Sequence, residues 1–227
     1  MLCWIQGQVG SSPPNGVHDR LLRPSIASAW SLDHAASVVA LAEATGCRFT
    51  MQVFRHELNA FPLLAIVDQA IDELGEARLE GLLAAYGVTR RQVLDPSAWV
   101  SVEFAEALLG DITRELKGDE GFIERATRRG MSPRYMGFLY PFIIGLGSPL
   151  FVYRQIPRVA GHVNHVSKFE VRRTGKSQVR ISWVPVGEAK VGRFICSSAQ
   201  VQLATVPILF LQPLAQVTHP ECLFEGG

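Results

Sequence analysis

Residues 168–186 read KFEVRRTGKSQVRISWVPV, and this stretch decides the fold class. Phe169 and Val171 alternate with Glu170 and Arg172; beyond Thr174-Gly175-Lys176-Ser177, Val179, Ile181 and Trp183 alternate with Arg180 and Ser182. A strand points successive side chains to opposite faces, so a period of two marks a sheet with one face on a core. The Gly-containing break between the two runs makes them an antiparallel hairpin. Since the other strong signals in the chain are helical, the fold class is α+β.

Upstream, FPLLAIVDQAIDELG (61–75) puts Leu63, Ile66, Val67, Ala70, Ile71 and Leu74 on one helical face and stops at Gly75. A shorter helix over 76–87 follows. Ser101 is placed to cap a third helix, whose stripe is Phe104, Leu108, Leu109, Ile112 and Leu116 and whose stop is Gly118. DEGFIERATRRG (119–130) has acids at its start and arginines at its end, as the helix dipole favours. PRYMGFLYPFIIGLG (133–147) is nearly all apolar and is expected to be a buried fifth helix. SPLFVYRQIPRVAGHVNHV (148–166) is expected as a sixth, capped by Ser148, with Pro149 in its first turn, a stripe of Val152, Ile156, Val159, Val163 and Val166, and a kink at Pro157.

Downstream of the hairpin, FICSSAQVQLATVPILFL (194–211) is long enough to be a helix covering the sheet, and AQVTHPEC (215–222) reads as another strand. The expected architecture is an N-terminal helical half packed on a small antiparallel sheet with a long covering helix. Residues 1–50 carry few charges and a loop-like GQVGSSPPNG (7–16); they are expected to be a low-order extension or a mis-assigned upstream segment, with Met51 as the true start. Residues 51–227 are then the domain, helical over 51–166 and sheet-forming over 167–227. Its last residues, HPECLFEGG (219–227), read as a turn opening whose second strand would follow, hence a hairpin severed at the end.

With 48% hydrophobic and 19% charged residues, the 227-residue chain can bury a substantial core. A net charge of +1 offers nucleic acid or an anionic membrane no electrostatic attraction. Four scattered cysteines, Cys3, Cys47, Cys196 and Cys222, do not make a disulfide framework, and the expected compartment is the reducing cytoplasm. Residues 135–153 and 194–218 are uncharged over spans that could cross a bilayer, but Pro141, Gly147-Ser148-Pro149, Pro207 and Pro213 break them. They are read as buried elements, with no membrane contact.

Two constellations carry candidate chemistry. Cys196, His219 and Cys222 are three soft or borderline ligands, where a structural zinc takes four. By spacing alone the signal is weak, because cysteine is a common buried residue and a lone histidine is more often satisfied or solvated. Phe138, Tyr140, Phe142, Phe151 and Tyr153 lie on adjacent expected helices facing a sheet that carries Phe169 and Trp183. Such a cluster either lines a small-molecule pocket or fills a core. His162 and His165 stand at i, i+3 and are read as polar helix-end residues. AAYGVTRRQVLD (84–95) mimics a helix-turn-helix bend, but Asp95-Pro96 cuts its second helix short. CSSAQ (196–200) has no base placed to activate it, and no phosphate loop, nucleophile elbow or HExxH motif occurs, so the chain is not read as an enzyme.

The runs GVTRRQVLDPSAWVSVEFAEALLGDITRELKGDEGFIERATRRG (87–130) and LYPFIIGLGSPLFVYRQIPRVAGHVNHVSKFEV (139–171) resemble N-terminal sensor domains of bacterial signalling proteins. The first half is also similar to the ligand-binding domain of arabinose-regulator-type transcription factors. Residues 194–227 resemble the 4-vinyl reductase domain, related to the aromatic-sensing domains of phenol-responsive regulators. The resemblance covers roughly residues 52–227. It implies a cytoplasmic, dimeric input domain that binds a small hydrophobic or aromatic effector between helices and sheet and acts on a downstream output domain. It assigns Phe138, Tyr140, Phe142, Tyr153, Phe169 and Trp183 to the effector. It also implies a structural zinc on Cys196, His219 (an acid in the relatives) and Cys222, with a fourth cysteine falling just past Gly227. Two other readings stand beside it: a tetrapyrrole-binding or vinyl-reductase-like enzyme or carrier, and a dimerisation module with no ligand.

Overall fold

In the computed structural model, β4 (Ser167–Arg173) and β5 (Gln178–Pro185) pair antiparallel in unbroken register, from Ser167 opposite Pro185 to Arg173 opposite Val179. Their alternation is realised: Val179, Ile181 and Trp183 are buried while Lys168, Glu170 and Arg172 face solvent. The structure describes residues 3–8, 52–137, 139–145, 147–187 and 192–221, all within one compact unit. Helices and an antiparallel sheet segregate as α+β.

The sheet has four strands in the order β4-β5-β1-β6, where β1 is Cys3–Gln8 and β6 is Gln216–Glu221. β1 is antiparallel to both neighbours, with Ile5 opposite Ile181 and Gln6 opposite Thr218. This corrects the expectation that residues 1–50 stand outside the domain: six of them form an inner strand. CWIQGQ is short and has a glycine where alternation would continue, so only long-range pairing defines it. Residues 9–50 lie outside the described residues.

The helical half follows its stripes. α1 (Phe61–Leu74) buries Leu63, Ile66, Val67 and Ala70 and ends where Gly75 adopts φ 87°, a conformation open to glycine. α2 (Glu76–Ala85) buries Leu79 and Leu83. α3 (Arg90–Val93) is a single turn with a Thr89–Gln92 capping box, so the helix-turn-helix mimic has no recognition helix. α4 (Val102–Glu115) starts where Ser101 Oγ accepts the Phe104 N–H at 3.1 Å, and it buries Phe104, Leu108, Leu109 and Ile112. α5 (Gly121–Gly130) packs on α1, with Arg125 reaching Glu73 at 2.7 Å.

Residues 133–147 do not form one buried helix. Gly137, at φ 50°, turns the chain between α6 (Pro133–Met136) and α7 (Leu139–Gly145). No described residue of α7 is buried, and Phe142 is 56% exposed. An apolar composition predicts burial only if the backbone can carry the segment to the core, and this break prevents it. α8 (Pro149–Val159) begins as expected, with Ser148 Oγ accepting the Phe151 N–H, but ends two residues after Pro157 and gives way to a 3-10 turn, Ala160–His162. Val163 and Val166 therefore lie beyond the helix.

The covering helix, α9 (Arg193–Thr205), continues into a 3-10 turn, Val206–Phe210. It packs against α4 and α5 and touches β1 and β6, while α8 lies on β4 and β5. Helices thus cover one face of the sheet. A two-stranded ladder, β2 (Leu58–Asn59) with β3 (Trp99–Val100), completes the described structure. Among the described residues, no helix is long and apolar enough to cross a membrane.

Candidate functional site

The start of α9 is built from another helix. Glu106, on α4, accepts the Phe194 N–H at 3.2 Å and the Ile195 N–H at 2.8 Å, satisfying donors that a helix N-terminus leaves open. Burial pushes the Glu106 carboxyl above its ordinary value, and these N–H groups and Arg193 pull it partly back. Gly192 lies directly beneath: a Cβ there would be 2.2 Å from Glu106 Cδ.

One turn further in, Cys196 is 3% exposed, and its Sγ is 3.8 Å from Nε2 of His219 on β6. The Gln200 amide nitrogen, one turn on, is 3.8 Å from the same sulfur and 3.0 Å from His219 Nδ1. Three side chains from a helix and a strand therefore form one clasp. Two ligands of a tetrahedral zinc, with Zn–S about 2.3 Å and Zn–N about 2.05 Å, stand about 3.6 Å apart. The Cys196–His219 pair has the chemistry and separation of one edge of that tetrahedron. Cys222 lies outside the described residues, and among those described no group of three or more His, Cys, Asp and Glu gathers. Gln200 was not legible as a partner, although its i+4 spacing from Cys196 was visible.

Three of the aromatic candidates come together on the helix-facing side of the sheet. Phe169 and Trp183, opposite each other in the ladder, stack with ring centroids 5.8 Å apart at 11°. Tyr153 is 1% exposed among Val179, Ile181 and Val206, and its hydroxyl donates to the Leu203 carbonyl at 2.7 Å. Burial raises the Tyr153 hydroxyl well above the usual tyrosine range. Phe169 packs against both this cluster and the one around Trp183, Val102, Val166 and Cys196. Tyr140 is half-buried and Phe142 faces solvent, both on α7, and Phe138 lies outside the described residues.

Two polar atoms on this face have no hydrogen-bond partner among the described residues: Trp183 Nε1 and Ser167 Oγ. Ser167 precedes Phe169 by two on β4, so it shares the inward face and sits diagonal to Trp183. Buried donors in native proteins are nearly always paired, so a lone indole N–H in an apolar cluster calls for an acceptor. The depression at the α8 N-terminus, about 100 Å³, is lined by Ser148, Leu150, Phe151, Arg154, Arg173 and Val179. It is well below the roughly 300–1,000 Å³ of ordinary ligand pockets, and further still from holding a macrocycle.

Of the expected helix-end histidines, His162 is exposed in the 3-10 turn, while His165 lies past the helix and faces His56. No protein-family model, curated protein or solved structure significantly matches the chain.

Proposed function

We propose that the chain is a ligand-sensing input domain of a bacterial regulatory protein, working as a homodimer and binding a small hydrophobic or aromatic effector. The observation that carries this reading is the Cys196–His219 pair. Two residues assigned to one zinc by resemblance alone stand 3.8 Å apart, at the junction of the covering helix and the last described strand. Cys196 and His219, with Cys222, would hold the ion, whose part is to pin β6 to α9. The effector would lie between sheet and covering helix, where Trp183 Nε1 offers a buried donor to an effector oxygen such as a phenol or carbonyl. Occupancy would bias the position of α9 and β6 and relay the signal to an output module.

The test is native mass spectrometry with a thermal-shift screen of small phenols and aryl ketones. The expected outcome is a zinc-sized increment lost in Cys196→Ser, and a Tm rise with at least one compound that disappears in Trp183→Phe. A bare chain that no compound stabilises would overturn the proposal. The filled core around Tyr153, Phe169 and Trp183 favours one second reading, a ligand-free dimerisation module. In that case Trp183→Phe alters stability alone, and no compound shifts Tm in either protein.

A further inference from the structure

His56 approaches the domain just before β2, in a segment held by backbone hydrogen bonds. The His165 N–H donates to the Glu57 carbonyl at 2.8 Å, and the Asn59 N–H donates to the Val163 carbonyl at 2.9 Å. Trp99, in the opposing strand, pairs with Asn59. Three rings distant in sequence are thereby fixed together. His56 stacks on Trp99 with centroids 3.9 Å apart at 25°, and His165 stacks on Trp99 at 4.4 Å and 25°. The two imidazoles are 4.5 Å apart by centroid, yet their Nδ1 atoms are only 2.8 Å apart. Both histidines are exposed to solvent.

Those two distances rule out a straight line through both nitrogens and fit rings that converge. Imidazoles sharing one proton along a straight Nδ1–H···Nδ1 line would have centroids roughly 5 Å apart. Imidazoles converging at a right angle on a point about 2.05 Å from each nitrogen would have nitrogens about 2.9 Å and centroids about 4.5 Å apart. The observed pair matches the second arrangement. A tetrahedral ion would spread the nitrogens to about 3.3 Å, whereas a right angle belongs to square-planar or octahedral coordination. The His56 carbonyl oxygen lies 3.2 Å from His165 Nδ1 and offers an additional oxygen donor. Arg55, next to His56 in the chain, is paired with Glu57 at 3.2 Å.

We infer that His56 and His165 form a surface site for a divalent transition-metal ion of the nickel or copper(II) type, with the His56 carbonyl as a further ligand, water completing the shell and Trp99 walling one side. This site is separate from the Cys196–His219 pair in ligand type and in place, and it does not depend on the effector-sensing reading. Without a metal, the same geometry holds a proton. The carbonyl can only accept, so His165 Nδ1–H bridges it and His56 Nδ1, and ligation at Nδ1 leaves each neutral imidazole its proton on Nε2.

The experiment is a Ni²⁺ titration of the full chain by calorimetry and tryptophan fluorescence, beside His56→Ala, His165→Ala and Trp99→Phe. The expected result is one Ni²⁺ more in wild type than in either histidine variant, or at least a tenfold loss of affinity, with circular dichroism unchanged. Trp99→Phe should still bind the ion but lose most of the accompanying quenching. Equal Ni²⁺ binding in wild type and both histidine variants would overturn the assignment and leave a proton-sharing pair.

Discussion

Gly192→Ala tests the construction of the α9 N-terminus most sharply. Gly192 has φ −94°, which any residue adopts, so backbone strain contributes nothing. The collision is with Glu106: the added Cβ would lie 2.2 Å from Cδ, 2.3 Å from Oε2 and 2.8 Å from Cγ. A carboxylate at the end of a flexible side chain can swing clear, so the clash alone is inexpensive. Swinging clear breaks the bonds from the Phe194 and Ile195 N–H groups, however, and leaves α9 uncapped. Loss of an N-cap costs about 0.5–2 kcal/mol, and open buried donors or a displaced buried carboxylate raise the total to about 2–3 kcal/mol. Urea unfolding of wild type, Gly192→Ala, Glu106→Ala and the double variant forms a thermodynamic cycle. Gly192→Ala should cost about 2–3 kcal/mol in wild type and under about 0.5 kcal/mol once Glu106 is alanine. Equal costs in both backgrounds would refute the reasoning, because the penalty would then not pass through the carboxylate.

Further outcomes follow from the same contacts. The raised Glu106 carboxyl means the folded state takes up its proton more readily than the unfolded chain. Its contribution to stability should therefore fall as pH rises from the ordinary value of 4.5 through the raised folded value, a slope that Glu106→Gln removes from unfolding free energies measured between pH 4 and 7. Tyr153→Phe leaves the Leu203 carbonyl without its donor and should cost about 1 kcal/mol by urea titration. Trp183→Phe discards an indole N–H that has no partner among the described residues, so it should cost much less than the roughly 3–5 kcal/mol of Trp183→Ala in the same assay. Gln200→Ala removes the amide nitrogen that meets His219 Nδ1 at 3.0 Å and should cost about 1 kcal/mol by urea titration.

The sequence revealed elements whose determinants are local. α1, α4 and α5 were legible because their stripes, caps and stops fall within fifteen or so residues of each other, as the period of 3.6 demands. The β4–β5 hairpin was legible for the same reason. β1 was not, because its strand character resides in pairing partners at the far end of the chain. Residues 133–147 misled because apolarity measures the wish for burial, while Gly137 decides the path of the backbone. The sixth helix overshot because Val163 and Val166 keep the stripe in phase after Pro157 and Gly161 have ended the helix. In the candidate sites, Cys196 and His219 stood out by residue type. His56 did not, since a lone histidine means little until His165 arrives from 109 positions away.

The placement of β1 also bears on how the chain assembles. Gln8 pairs with Gln178 and Gln216, so the strand made first waits for partners made near the end. At roughly 5–20 residues per second, the interval of about 170 residues lasts some 10–30 s of translation. During that time α1 through α8 can dock on one another through local contacts, while the sheet cannot close. Its closure is a high-contact-order step, expected to be the slow phase of refolding. The ribosome thus releases a helical half that is ready early and a sheet whose inner position must stay vacant until its oldest segment returns to fill it.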